Sequence, residues 1–132
     1  MADMRPVNPW KWQDQLAFAQ AIEVKGGQRV LYCAGQTSVD GEGRPLHAGD
    51  MAAQIEQALD NLETVLTQAN LTLASVVRLN YYTTDMDAFI KAGATLGARL
   101  HKGRCIPSGT LLGVTRLFHP DILVEIEATA VE

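Results

Sequence analysis

Two glutamates near the end of the chain, Glu125 and Glu127, have the residue type and spacing best suited to catalysis. They are two positions apart in the alternating segment 122–131, so in a β-strand they share one face of the sheet. A carboxylate against an apolar wall has a raised pKa and can act as a general acid or base. The alternatives are a solvated pair near the edge of the sheet or, for Glu127, a structural ion pair.

The remaining polar residues form no comparable group. Arg116 follows the fourth predicted strand, where it could enter a neighbouring cleft or form a surface or inter-subunit ion pair. Three histidines lack the paired spacing of metal ligands, so neither a metal site nor any other cofactor is predicted: His47, His101 and His119.

Segment 51–69 must form the helix that supports the glutamate strand. Its apolar residues recur at i, i+4, i+7, i+8, i+11, i+14 and i+15, which is one face of an α-helix. Asp50 is placed to cap the N-terminus, and Asn70 can end the helix in the left-handed conformation.

A second helix is predicted after Asp85 or Asp87. Its buried stripe comprises Phe89, Gly93, Leu96 and Leu100.

The strands surround these helices in the order ββαβαββ. The segments with β-strand patterns are 18–24, 29–38, 76–84, 106–114 and 122–131, and a turn at 25–28 joins the first two as a hairpin. Strand–helix–strand units imply right-handed parallel crossovers, which place both helices on one face of the sheet. The predicted fold is therefore α+β, a two-layer α/β sandwich with a mixed sheet, in one domain over residues 1–132.

The uncovered face of this sheet predicts self-association. In the second strand Val30, Tyr32 and Ala34 lie opposite Leu31, Cys33 and Gly35, and the fourth strand is likewise apolar on both faces. Two helices can cover only one face, and a large exposed apolar face is usually an interface. We therefore expect an obligate oligomer.

Composition excludes several classes of function. The net charge of −4 argues against a nucleic-acid binder, which needs a basic patch for the phosphates. No apolar segment is long enough to span a membrane, and the N-terminal residues lack the apolar core of a signal peptide. Cys33 and Cys105 are expected to be free thiols in a reducing compartment. These features predict a cytoplasmic protein with no nucleic-acid or membrane partner.

An ordered set of short segments resembles the YjgF/RidA family, also labelled L-PSP endoribonuclease-like. The resemblance covers residues 18–131 and is carried by LYCAGQT at 31–37, Gly49-Asp50, QALDNL at 57–62, YTTDMDAF at 82–89, Pro107, and VEIEA at 124–128. It implies a chorismate-mutase-like fold and a homotrimer whose sheets form a central barrel. It also implies small-molecule clefts between subunits and metal-free hydrolysis of enamines and imines.

The resemblance also identifies site positions, several of which are changed here. In active members an arginine two residues after the proline binds the substrate carboxylate, but this position is Gly109. The family's tyrosine, asparagine and cysteine positions align with Phe18, Gly93 and Leu111. The water-directing glutamate is retained as Glu125. The Gly35-Gln36 turn is also retained and is expected to line the cleft.

Two functions follow as hypotheses. The first is hydrolysis or deamination of a small enamine, imine or related metabolite, with Glu125 directing water. Weak or absent 2-imino acid deamination is then expected, because loss of the arginine removes about 1.5–3 kcal/mol of carboxylate binding. The alternative is a non-catalytic trimer that binds or senses a small metabolite.

Overall fold

A computed structural model describes residues 2–132 and confirms the α+β class. Its six strands and three helices are β1 (Asp3–Val7), β2 (Ala21–Lys25), β3 (Val30–Thr37), α1 (Met51–Gln68), β4 (Val76–Thr83), α2 (Met86–Lys91), α3 (Gly93–Lys102), β5 (Ser108–Gly113) and β6 (Val124–Val131). Short 3₁₀ turns occupy Trp12–Gln15 and Leu73–Ser75. None of the helices described has the length and apolar character needed to cross a bilayer.

The main sheet has the strand order β3-β6-β4-β5. Strand β6 is antiparallel to both β3 and β4, and β4 is parallel to β5. Strands β3 and β4 therefore run in the same direction. Both crossovers connect parallel strands, as predicted, and the helices pack on one face of the sheet. Strand β5 forms one edge, and its outer side pairs with no other strand of residues 2–132.

Helix α1 supplies most of the core, because its apolar stripe faces the sheet. Ile55, Ala58, Leu59, Leu62 and Leu66 are fully buried. The Asp50 side chain accepts a hydrogen bond from Ala53 N at 3.0 Å, and Asn70 adopts the left-handed conformation with φ 59°. Both predicted ends of the helix are thus confirmed to within a residue.

The second predicted helix is broken in two at Ala92, where α2 ends and α3 begins. Asp85 caps α2 by accepting from Ala88 N at 3.0 Å. Phe89, Leu96 and Leu100 are buried as expected. The placement of Gly93 in the buried stripe was wrong. The break at Ala92 turns α3, and Gly93 is exposed.

The predicted hairpin between segments 18–24 and 29–38 was also wrong. Strand β2 pairs with β1, a strand not expected from the sequence, in a separate two-stranded antiparallel sheet. After Gly26, at φ 73°, the chain turns away from β2. Gln28 N donates to Glu132 O at 2.8 Å, and Glu132 N donates to Arg29 O at 3.0 Å. The backbone groups of Gln28 and Arg29 therefore find their hydrogen-bond partners in Glu132 and not in a β2–β3 ladder.

The two faces of the main sheet differ in polarity. Val124, Ile126, Ala128 and Ala130 of β6 point to the helices and are buried. The second and fourth predicted strands were expected to place apolar residues on the open face, and β3 and β5 do so: Tyr32 is 80%, Val30 52% and Leu112 49% exposed. The central strands β4 and β6 instead carry polar and charged residues on this face: Arg78, Asn80, Tyr82, Glu125, Glu127 and Thr129.

A buried glutamine joins α1 to the loop that leads into β6. The amide nitrogen of Gln54 donates to His47 O at 3.1 Å and to Asp121 O at 2.7 Å. Its carbonyl oxygen accepts from Leu123 N at 2.8 Å. Without Gln54, Asp121 O and Leu123 N in the loop 114–123 would lose these partners beside the core, so Gln54 helps to fix where β6 begins.

We predict that Gln54→Leu lowers the free energy of unfolding by about 2–4 kcal/mol, because it leaves buried backbone groups without partners. The control is Gln68→Leu, on the exposed end of α1, which should change stability by less than about 0.5 kcal/mol. Urea unfolding at one fixed protein concentration measures both. Equal stability of the two variants would show that the Gln54 hydrogen bonds contribute nothing.

Candidate functional site

A cavity of about 1000 Å³ lies between β5, α3 and the segment that precedes β2. It opens at the free edge of β5, on the helix side of the sheet. Four of the predicted substrate-binding residues line it together: Phe18, Gly93, Gly109 and Leu111. The cavity is large enough for a drug-sized metabolite.

Local hydrogen bonds and ring contacts fix its walls. Ala19 N donates to Pro107 O at 2.9 Å, which holds the neighbouring Phe18 beside the start of β5. The Phe18 ring meets Trp12 edge-on, with ring centroids 6.0 Å apart. Tyr81 lines the opposite wall, where its ring packs against Phe89 at 5.6 Å. The cavity is therefore mainly apolar and aromatic.

No lysine or arginine among residues 2–132 lines this cavity. Its ionisable side chains are Asp14, Tyr81, His101 and Cys105. Burial raises the pKa of the Cys105 thiol to about 12 and also raises the pKa of Tyr81, so both are neutral at physiological pH. Arg116 lies exposed in the loop 114–123, away from the cavity lining.

Gly109 is fixed as glycine by its backbone position. A Cβ at this residue would collide with the carbonyl oxygen of Leu79 and lie 3.0 Å from its carbonyl carbon. Leu79 O belongs to the central strand β4, the register partner of β5, so it cannot move independently. An arginine at position 109 would therefore require a shift of the strand backbone.

Glu125 lies on the other face of the sheet and does not line the cavity. A register shift in β3 between Cys33 and Gln36 marks a β-bulge, which brings Gly35 under the Glu125 side chain. A Cβ at Gly35 would collide with the Glu125 carboxylate and lie 2.6 Å from its carboxyl carbon. The bulge breaks the alternation that placed Gly35 with Cys33. The Gln36 side chain folds back onto Ala34 O at 3.2 Å.

The carboxylate of Glu125 has an elevated pKa, first because it is partly buried and second because Glu127 carries a like charge nearby. Glu127 is held by two donors: the Tyr82 hydroxyl makes a short hydrogen bond, and Asn80 Nδ2 donates at 3.1 Å. The expected ion pair of Glu127 is not found among residues 2–132. Within the same range, no group of three or more His, Cys, Asp or Glu side chains could hold a metal ion.

The sequence-predicted site residues other than Gln36 thus form two groups on opposite faces of one sheet. Phe18, Gly93, Gly109 and Leu111 belong to the cavity, and Gly35 with Glu125 belongs to the open face. Sequence reasoning missed Asp14 and His101 in the cavity and Tyr82 beside Glu125. The alternation of Asn80 and Tyr82 was the available signal, but the register of β4 against β6 is a tertiary property.

The chain is thus an α+β protein with a ligand-sized cavity on one face of the sheet and a half-buried carboxylate on the other. Residues 13–132 match the family described as Endoribonuclease L-PSP. A RutC family protein of Pyrococcus horikoshii is 33% identical over 113 residues, covering 86% of this chain and 85% of that protein. The chain therefore belongs to the YjgF/Rid family.

Two further proteins extend this comparison. The crystal structure of YyfB from Yersinia pestis, a Rid family protein of unknown function, has a TM-score of 0.87 at 33% identity and covers 98% of both chains. A 2-iminobutanoate/2-iminopropanoate deaminase of Escherichia coli is 32% identical over 83 residues, which is 62% of this chain and 64% of that enzyme. The chain thus shares a family with imine deaminases.

We predict that Gly35→Ala moves the Glu125 carboxylate off β3 while the protein still folds, because the colliding atoms are at the end of a flexible side chain. The carboxylate should become more hydrated, which lowers its pKa. A ¹³C NMR titration of labelled glutamate side chains measures this, with the Glu125 signal assigned from Glu125→Gln. The control is Gly41→Ala, because a Cβ at Gly41 meets no atom within 4 Å. An unchanged Glu125 signal in Gly35→Ala would contradict the predicted contact.

Proposed function

We propose that the protein is a homotrimer whose small-molecule clefts lie between subunits, with the cavity of one subunit closed by the Glu125 face of the next. The observation that carries this proposal is the position of the cavity and of Glu125 on opposite faces of the sheet. A single chain cannot present both to one small ligand, whereas a neighbouring copy can. The exposed Val30, Tyr32 and Leu112 on the open face support such a contact.

The activity we propose is hydrolysis of a small imine or of the enamine in equilibrium with it. Glu125 accepts a proton from water as the water oxygen attacks the C=N carbon, and Glu125 then passes this proton to the nitrogen. The resulting carbinolamine loses ammonia and leaves a carbonyl product. Membership of a family that includes imine deaminases supports this reaction. So does the half-buried carboxylate, whose raised pKa suits proton exchange.

The substrate we propose is uncharged at the end that enters the cavity. No lysine or arginine lines the cavity, and the position that binds carboxylate in active members is Gly109, where no side chain fits. Without a cation, a carboxylate would lose its hydration in a mainly apolar site without compensation. We therefore expect 2-imino acids to be poor substrates.

A non-catalytic trimer that binds a small metabolite is the second candidate. The missing cation favours it, because a site that has lost its substrate-binding group can retain a ligand-sized cavity. Both candidates share the cleft and require no metal, nucleic acid or membrane partner. The cytoplasmic location expected from the sequence also remains a prediction. The two candidates differ in whether Glu125 takes part in a reaction.

We predict that light scattering at micromolar concentration gives roughly three times the chain mass of 14.3 kDa. Tyr32→Glu should shift the protein towards monomer, because it would bury a charge in the apolar part of the open face. Thr67→Glu adds the same charge on the exposed side of α1 and should remain trimeric. A wild-type monomer would refute the shared cleft.

The activity prediction compares two imines generated in situ. We expect faster decay of an imine formed by an amine oxidase from a primary amine than of a 2-imino acid formed by an amino-acid oxidase. Glu125→Gln should lower the enzyme-dependent rate by roughly 10²–10⁴, the usual value of general acid–base catalysis. Glu42→Gln, in an exposed turn, is the control.

Three outcomes would contradict this view. A 2-imino acid rate equal to that of the Escherichia coli deaminase would refute the uncharged substrate. Unchanged turnover in Glu125→Gln would remove Glu125 from the mechanism. Saturable binding of the amines or imines, with no accelerated decay of either imine, would favour the binding protein over the enzyme.

A further inference from the structure

The environments of the two glutamates on the open face are unequal. Glu127 receives hydrogen bonds from Tyr82 and from Asn80 at 3.1 Å, which fix its carboxylate over β4. Glu125 leans the other way, over Gly35 of β3, and none of residues 2–132 donates a hydrogen bond to its side chain. One carboxylate is therefore anchored, and its neighbour is not.

Strand register explains this asymmetry. Tyr82 is the register partner of Glu125 in the β4–β6 ladder, and Asn80 is the partner of Glu127. The Tyr82 side chain nevertheless reaches diagonally to Glu127, a distance that a long aromatic side chain can span. The hydrogen bond to Glu127 raises the pKa of the Tyr82 hydroxyl, which therefore remains a donor at physiological pH.

We infer that Glu127 is a positioning residue for Glu125: Tyr82 and Asn80 hold the Glu127 carboxylate in a fixed place on the same face of β6 as Glu125. The inference rests on the proposed function of Glu125 as the group that directs water. Pairs of carboxyl groups in unlike environments are a common means of dividing acid and base roles within one site. Here the anchored carboxylate supplies a fixed negative charge, and the unanchored one can gain and lose a proton.

The other charged groups near Glu125 do not cancel this effect. On β6 the only charged open-face neighbour is Glu127. Strand β4 contributes Tyr82 and Arg78, and the Arg78 guanidinium donates to Thr110 Oγ1 at 3.3 Å, towards β5 and away from Glu125. Strand β3 presents Gly35 beside Glu125 and Tyr32 further along. Glu127 is thus the charged neighbour that affects Glu125, and its negative charge raises the pKa of Glu125.

The test is the ¹³C carboxyl titration of the assembled wild-type protein and three variants. Glu127→Gln keeps the side-chain shape and can still accept from Tyr82 and Asn80, but it removes the negative charge, so the Glu125 titration midpoint should fall. Tyr82→Phe keeps the ring but frees Glu127, so it should lower the midpoint in the same direction by less. Glu42→Gln is the control and should leave it unchanged.

A second measurement connects the titration to catalysis. If the protein turns over an imine, the acid limb of the kcat/KM profile should move to lower pH in Glu127→Gln by the same amount. A purely structural role for Glu127 would change stability without moving either midpoint. Because the titration needs no substrate, it decides this inference even if no turnover is found, which would count against the proposed function alone.

An unchanged or raised Glu125 midpoint in Glu127→Gln would overturn the inference. If that variant does not assemble, Tyr82→Phe decides the question by the same criterion. A fall in the Glu125 midpoint in Glu42→Gln as large as that in Glu127→Gln would also overturn it, because the effect would then follow from net charge and not from the anchored neighbour.

Discussion

Three helices cover one face of the four-stranded sheet, and nothing within residues 2–132 covers the other. The fully buried stripe of α1 and the inward residues of β6 form the core on the covered face. The cavity and the two glutamates lie on opposite sides of this sheet. The cavity is on the helix side at the edge of β5, and the carboxylates of Glu125 and Glu127 are on the open side. A shared site therefore depends on how a second copy meets the open face.

Two glycines determine what each half of the site can contain. Gly35 lies in a β-bulge and leaves the space into which the Glu125 side chain folds. Gly109 lies where a side chain would collide with the backbone of β4. The first glycine allows a carboxylate to rest against the sheet, half-shielded from water. The second leaves no room for a side chain, and therefore none for a cation, at this position of the cavity wall. In the function that we propose, the two positions together favour proton transfer over carboxylate recognition.

The elements with strong local patterns could be predicted from the sequence. Helix α1 has an unbroken apolar stripe with recognisable caps, and the alternation in 122–131 places Val124 and Ile126 against the helices. The errors arose where tertiary contacts determine how strands pair or where a helix ends. The β1–β2 pairing replaces the expected hairpin because Glu132 satisfies the turn at Gln28, and Ala92 breaks a helix whose stripe looks continuous.

The candidate site, like the fold, could be predicted only in part. Alignment to the family selected residues that line one cavity, although periodicity alone placed Gly93 in the core. The partners of Glu127 were not predictable, because the hydrogen bond from Tyr82 depends on the register between β4 and β6 and on a diagonal reach across it. The sequence shows which residues lie on the same face of a strand, but the register between strands determines which of them are in contact.

Assembly and protonation are coupled in the trimer that we propose. Glu125 is only partly buried in one chain, and its pKa is already raised by the water it has lost and by Glu127. A neighbouring subunit that closes the cleft removes more water from the same carboxylate, which disfavours its charged form further. Since no cation from the cavity wall opposes this change, closing the cleft also makes Glu125 a stronger base. The same contact that completes the binding site thereby prepares the group that acts in it.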